Sequence, residues 1–301
     1  MLIVVGAIVV TFSVIIGYVL SHGQLMALWQ PFELIIIGGA AFGGYLAANP
    51  MPVHKAVARN LLAVLKGSKY KQQQYLELLS VIFELLQTAR KKGMLALESH
   101  IEEPHSSEIF NKSPVLQNDH GVLEFICDYL RLMIDGALNP LQLQELMELE
   151  LETHHQESEL PHSAVTKVAD GLPGFGIVAA VLGIVITMAS LGDGDTVAIG
   201  KHVAAALVGT FLGILLAYGY VAPIADAMAH AARDESKFLE CAKVCLLSTA
   251  QGYPPKIAVE FGRKVIFHKD RPSFEALNDS LDSKPAVAAA EEPPMEQDKA
   301  A

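Results

Sequence analysis

The stretch ETHHQESE sets His154 and His155 among carboxylates, a composition suited to binding a metal ion or moving protons. Adjacent positions on a helix face different directions, and no further ligand follows at metal spacing. A solvated acidic helix therefore accounts for the stretch. Cys241 and Cys245 stand one helical turn apart without histidines or a second cysteine pair at ligand spacing. They read as buried apolar thiols, and with Cys127 they are expected on the cytoplasmic side, where thiols stay reduced. No nucleophile motif, phosphate loop or complete metal motif accompanies these groups, so nothing points to an enzyme, a metal or a cofactor. Thr210, beside Gly209 in an apolar run, is a candidate of another kind. Its hydroxyl either bonds back to its own helix or faces a path for water and ions.

The elements that must position these residues are membrane helices. Hydrophobic residues make up 51% of the 301-residue chain and its mean hydropathy is +0.34, yet its charges gather in two blocks. Crossing a bilayer core takes roughly 20 helical residues. Residues 2–20, 32–48, 172–191 and 203–222 meet that length, or nearly so, with Glu33 at the edge of the second segment. The first has no Lys or Arg before it and is longer than a signal-peptide core, so it is expected to be a retained span. Lys and Arg near span ends stay in the cytoplasm. Lys55, Arg59, Lys66, Lys69 and Lys71 open the large polar insert, and Arg233, Lys237 and Lys243 follow the last span. Both polar regions and both termini are therefore expected inside. A net charge of −11 argues against a nucleic-acid partner.

The fold expected is an all-α integral membrane protein: four transmembrane helices with a helical cytoplasmic insert between spans two and three. Its divisions are residues 1–49 for spans one and two, 50–170 for the insert, 171–223 for spans three and four, 224–277 for cytoplasmic C-terminal helices, and 278–301 for a disordered tail. In the insert, apolar spacing through Leu78, Ile82, Leu85 and Leu86 ends in Arg90, Lys91, Lys92 and Gly93, a helix stop signal. Pro140 starts another helix. The last span is expected to continue past Pro223 toward Gly252.

No span interior holds a charged residue or histidine, so the ion-carrying carboxylate should come from another chain. Small residues recur every four positions: Ala205, Gly209, Gly213 and Ala217 in the fourth span, Gly39, Gly43 and Ala47 in the second. Such stripes allow close helix packing, either within one subunit or against helices of others. Pro173 opens the third span, where a proline costs little. Pro223 falls inside a continuing helix, where it removes a hydrogen bond and kinks the axis. Together they are candidate hinges.

The stretches LPGFGIVAAVLGIV, VGTFLGILLAYGYVAPIA, SKYKQQQYLELL, SEIF, DYLRLMIDG and AVEFGRKVIF resemble the MotA family of flagellar stator subunits, within the wider group that includes TolQ and ExbB. The likeness runs to about residue 277. It implies a multi-pass subunit of the bacterial inner membrane that assembles as a pentamer around MotB. MotB would supply the membrane aspartate, and ion flow would drive the complex against the rotor protein FliG. Carried over by position, Arg90 and Glu98 would meet charged groups on FliG, and Pro173 and Pro223 would couple conformational changes. Charges at such places would otherwise be read as a solvated face. Ala180 and Thr210 are candidate channel-lining residues. With so few hydroxyls near them, the expected ion is the proton rather than sodium. The alternatives are a TolQ or ExbB type energiser acting on a periplasmic partner, and a stand-alone transporter, against which the charge-free spans argue.

Overall fold

The computed structural model describes residues 2–67, 69–190 and 196–282. Among these, all regular structure is helical. The principal helices are α1 (Leu2–Leu20), α2 (Pro31–Ala48), α3 (Met51–Lys66), α4 (Gln72–Lys92), α5 (His120–Asp135), α6 (Pro140–Ser190), α7 (Thr196–Leu216), α8 (Ala222–Ala250), α9 (Pro255–Val265) and α10 (Phe274–Asp282). Four helical stretches among the described residues, Leu2–Leu20, Leu25–Ala48, Pro140–Ala189 and Ile199–Ala250, are long and apolar enough to cross a bilayer. Helix α10 runs through Asp282, so residues 278–282 of the expected tail are helical, and the remainder, 283–301, lies outside the described residues.

Local chemistry sets the boundaries. Asn139 caps α6, its Oδ1 accepting from the backbone N–H groups of Leu141 and Gln142 at 3.0 Å each, while its own N–H donates to the Gln142 side chain. This satisfies donors that a helix start leaves orphaned. Helix α8 ends at Gly252, whose φ of +91° is available to glycine without strain. The N–H groups of Gly252 and Tyr253 return to the carbonyls of Thr249 and Ser248, closing the last turn.

Two expectations about α6 are corrected. The acidic cytoplasmic helix and the third span form one 51-residue helix, and Pro173 lies in its interior rather than at a start. Pro161 is interior as well. Each proline costs one backbone hydrogen bond, a net loss of about 1 kcal/mol, plus a ring clash. The many remaining bonds of so long a helix, and the packing beside Leu172, outweigh that.

The chain divides into two compact units, residues 1–69 with 148–236, and 70–147 with 237–301. In the first, Ile37, Ala41, Leu172, Ala179 and Ala217 form one buried cluster, and Val64, Val165, Ala225 and Met228 another. Helices α6 and α7 meet there almost backbone to backbone. A Cβ added to Gly213 would lie 2.7 Å from the Leu172 carbonyl oxygen and 2.9 Å from the Gly176 Cα. One at Gly176 would lie 3.0 Å from the Gly209 carbonyl oxygen.

In the second unit α4 supplies the core through Leu78, Leu79, Ile82, Leu85 and Leu86. Helix α9 packs on it at Gly262, where any Cβ would collide with Cys245 Sγ. Arg263 grips Glu260 with two bonds of 2.7 and 2.6 Å and donates to the Pro272 carbonyl, and the Glu260 carboxyl is held below its usual range by that pairing. Cys241 and Cys245 are buried free thiols, as expected, and Cys127 is buried as well.

Gly213→Ala should destabilise the protein by on the order of 1–3 kcal/mol, because its neighbours are backbone atoms that cannot yield. A Cβ at Gly121, at the start of α5, meets nothing within 4 Å. Thermal unfolding of detergent-purified protein should therefore fall for Gly213→Ala and stay near wild type for Gly121→Ala.

Candidate functional site

The α6–α7 seam is built from small residues because nothing larger fits between the two backbones. Ala179 and Ala206 are buried in it, and Gly209 is filled from the side by Ala179. Ala180 and Thr210 are both half-buried at this seam. The Ala180 N lies 3.5 Å from where a Gly209 Cβ would sit, and the Thr210 Cα 3.4 Å from a Gly176 Cβ. The stripe of the fourth span is thus consumed within the chain at Gly209, Gly213 and Ala217. The stripe of the second span, Gly39, Gly43 and Ala47, is exposed on this chain.

Sequence reasoning underrated Glu33. It stands in the first turn of α2, but its Cγ lies 3.5 Å from the site of a Gly209 Cβ, and its Oε2 is buried without a hydrogen-bond partner. The space that Gly209 leaves open admits a carboxylate which counting charges along the segment assigns to the edge. Thr187 was likewise passed over. It is 1% exposed and donates to the Gly183 carbonyl at 2.8 Å, the ordinary way for a hydroxyl to be satisfied inside an apolar helix.

Between α7 and α8 the helix widens into a π turn, Ala217–Val221, immediately before Pro223. A proline at 223 removes the N–H that would bond the Gly219 carbonyl, and the wider turn accommodates the resulting mismatch. Helix α1 docks here. Thr11 Oγ1 donates to the Ala7 carbonyl at 2.7 Å and lies 2.8 Å from the Tyr220 hydroxyl, while Val10 Cγ1 would be 3.1 Å from a Gly219 Cβ. Thr11 and Tyr220 carried no signal in the sequence beyond a glycine and a proline four residues apart in one helix.

Toward the other end of this unit, His154 of α6 faces Glu235 of α8 at 3.7 Å. The Glu235 carboxylate raises the histidine pKa against the opposing effect of burial. His155 pairs instead with Glu159 one turn along its own helix, so the two histidines do point apart. No group of three metal-type side chains occurs among the described residues.

Arg90 and Glu98 lie in the second unit, both exposed. Arg90, Lys91 and Lys92 form the last turn of α4, complementing its negative end, and Gly93 at φ +89° stops the helix. A short 3₁₀ turn, Met94–Leu97, leads to Glu98, held from below by the buried side chains of Leu97 and Ile101.

Helices long enough to cross a bilayer, a close-packed small-residue seam and a helical unit carrying exposed charges define a multi-pass helical membrane protein. The comparisons narrow the class. Residues 4–93 match the model of the motility protein A N-terminal domain, and residues 117–240 that of the MotA/TolQ/ExbB proton channel family. Motility protein A of Salmonella typhimurium is 43% identical over 93% of this chain and 95% of its own length, and that of Escherichia coli 44% over the same shares. A solved structure of Campylobacter jejuni MotAB superposes with a TM-score of 0.74 at 22% identity, covering 90% of this chain and 98% of that one. The chain belongs to the motility protein A family, within the MotA/TolQ/ExbB proton channel family. It is accordingly a flagellar stator proton-channel subunit.

The His154–Glu235 attraction predicts a pH dependence. A raised histidine pKa stabilises the fold fully below the unfolded value of about 6.5, and that contribution is lost as pH rises through the folded value. The difference in thermal midpoint between wild type and His154→Gln should therefore be largest near pH 5.5 and shrink by about pH 8.5. A difference independent of pH would contradict the pairing.

Proposed function

We propose that this chain forms the wall of a stator channel whose ion-carrying carboxylate is supplied by MotB, and that it delivers force to FliG through its second unit. The observation that carries the reading is the α6–α7 seam, where among the described residues these two helices bring glycine, alanine and threonine into close approach and no ionisable group. Glu33 of α2 reaches the seam but stands in the first turn of its helix. A carrier aligned with a path along these helices has to come from outside the chain. Ala180 and Thr210 would line that path. With the Thr187 hydroxyl already bonded to the Gly183 carbonyl and Thr210 the one hydroxyl beside Ala180, the site suits a proton better than sodium, which exchanges its hydration shell for several oxygens.

Self-assembly into a pentamer around MotB is supported by the faces left open. Helix α1 has no buried residue, and Gly39, Gly43 and Ala47 of α2 offer a flat exposed stripe. The distribution of cations favours an orientation with residues 50–170 and 224–277, and both termini, on the cytoplasmic side of the inner membrane. Pro173 and the π turn before Pro223 are the points at which α6 and α8 would bend during a cycle.

Arg90 and Glu98 would meet opposite charges on FliG. Exposed pairs are each worth about 0–1 kcal/mol, weak enough to break at each step. One elementary charge crossing 100 mV supplies about 2.3 kcal/mol, enough to rearrange several.

Co-purification with MotB and flux measurements in vesicles test the first half. Flux should vanish when the MotB membrane carboxylate is neutralised, and equal flux without MotB would refute it. Arg90→Glu should weaken rotor engagement by roughly fivefold, read as slowed swimming. A compensating reversal on FliG should restore speed, whereas a TolQ or ExbB type energiser would be indifferent to both changes.

A further inference from the structure

Beside Arg90 the second unit carries a preformed pocket of about 300 Å³, lined by Leu86, Ala89, Met94, Thr249, Tyr253 and Pro254. Two helix stops frame it. Gly93 ends α4 on one side, and Gly252 ends α8 on the other, followed by the stiff pair Pro254 and Pro255. Its surroundings are unusually apolar for an exposed surface. Leu95 is 72% exposed, and Tyr253 and Phe261, whose rings pack at 5.1 Å, are 44% and 43% exposed.

The charges point the same way. Many cations of this unit are paired: Lys112 with Glu84, Arg131 with Glu102 and Asp128, Lys237 with Glu240, Lys256 with Asp282, and Arg263 with Glu260, while Arg271 bonds backbone carbonyls. Arg90 lines the pocket and Lys91 and Lys92 follow it in the last turn of α4, all three exposed, and the structure shows no carboxylate within ion-pair distance of them among the described residues. An apolar hole beside three unpaired cations is complementary to a helix that presents one apolar side chain flanked by carboxylates a turn away.

We infer that this pocket is an anchor for the rotor protein, receiving an apolar side chain from an acidic helical segment while Arg90, Lys91 and Lys92 pair with its carboxylates. The inference rests on the rotor reading of Arg90 and adds to it an element of different character. Ion pairs at the rim steer the approach, whereas an apolar side chain filling a rigid pocket fixes register and supplies most of the binding free energy.

The test uses the assembled stator in flagellated cells, with Tyr253→p-benzoylphenylalanine as a photo-cross-linker at the pocket mouth. The expected product is a covalent adduct with the rotor protein. Thr249→Phe, which fills the pocket, should lower the yield roughly tenfold at unchanged stator abundance. Met94→Ala, which empties one wall without crowding it, should lower it as well, so the outcome does not depend on one variant folding. Charge reversal at Arg90 with rescue on the rotor reads the underlying contact separately. Rescue without a Tyr253 adduct, an adduct only to another copy of this chain, or a yield unmoved by both pocket variants would overturn the anchor and leave the rotor reading in place. Failure of rescue would overturn the rotor reading and the anchor with it.

Discussion

The architecture depends on the approach of two backbones at Gly176 and Gly213. Between membrane helices there is no gain from hiding apolar surface, because lipid is as apolar as leucine. Dispersion contacts at short range must hold the helices together, and these grow only where side chains are absent. The Leu172 carbonyl oxygen sits so close to Gly213 that even one methyl group is excluded. The seam in turn fixes the direction of α7. It also leaves, at Gly209, the opening into which Glu33 leans.

Much of this plan was legible in the sequence because helix ends are written in local chemistry. Pro140 marks a start, the cations before Gly93 mark a stop, and the apolar runs announce bilayer-length helices. Burial of the cysteines followed from their missing ligands. What could not be read was partnership. Gly209, Gly213 and Gly39, Gly43 have the same spacing, yet the first pair is spent inside the chain and the second faces outward. A stripe of small residues states that something approaches without stating what.

Pro173 shows the limit of local rules in the opposite direction. A proline is a probable boundary when a short helix must stand alone, and α6 does not stand alone. Its 51 residues absorb two prolines, so a position that reads as a beginning lies in the middle. Glu33 failed for a related reason. Position along a segment locates a Cα, whereas the carboxylate is carried several ångströms away, to wherever a neighbour leaves room.

The hydrogen bond between Thr11 and Tyr220 joins a helix with no buried residue to the one place where the backbone of the fourth apolar segment leaves α-geometry. In hydrocarbon neither hydroxyl has water to turn to, so breaking that bond is dearer than in solution. Helix α1 is therefore less a wall than an outrigger. Any change in pitch at Tyr220 must either carry α1 along or strand the Tyr220 hydroxyl, since Thr11 keeps its bond to the Ala7 carbonyl, so the outermost helix registers on the bilayer side what happens at the bend.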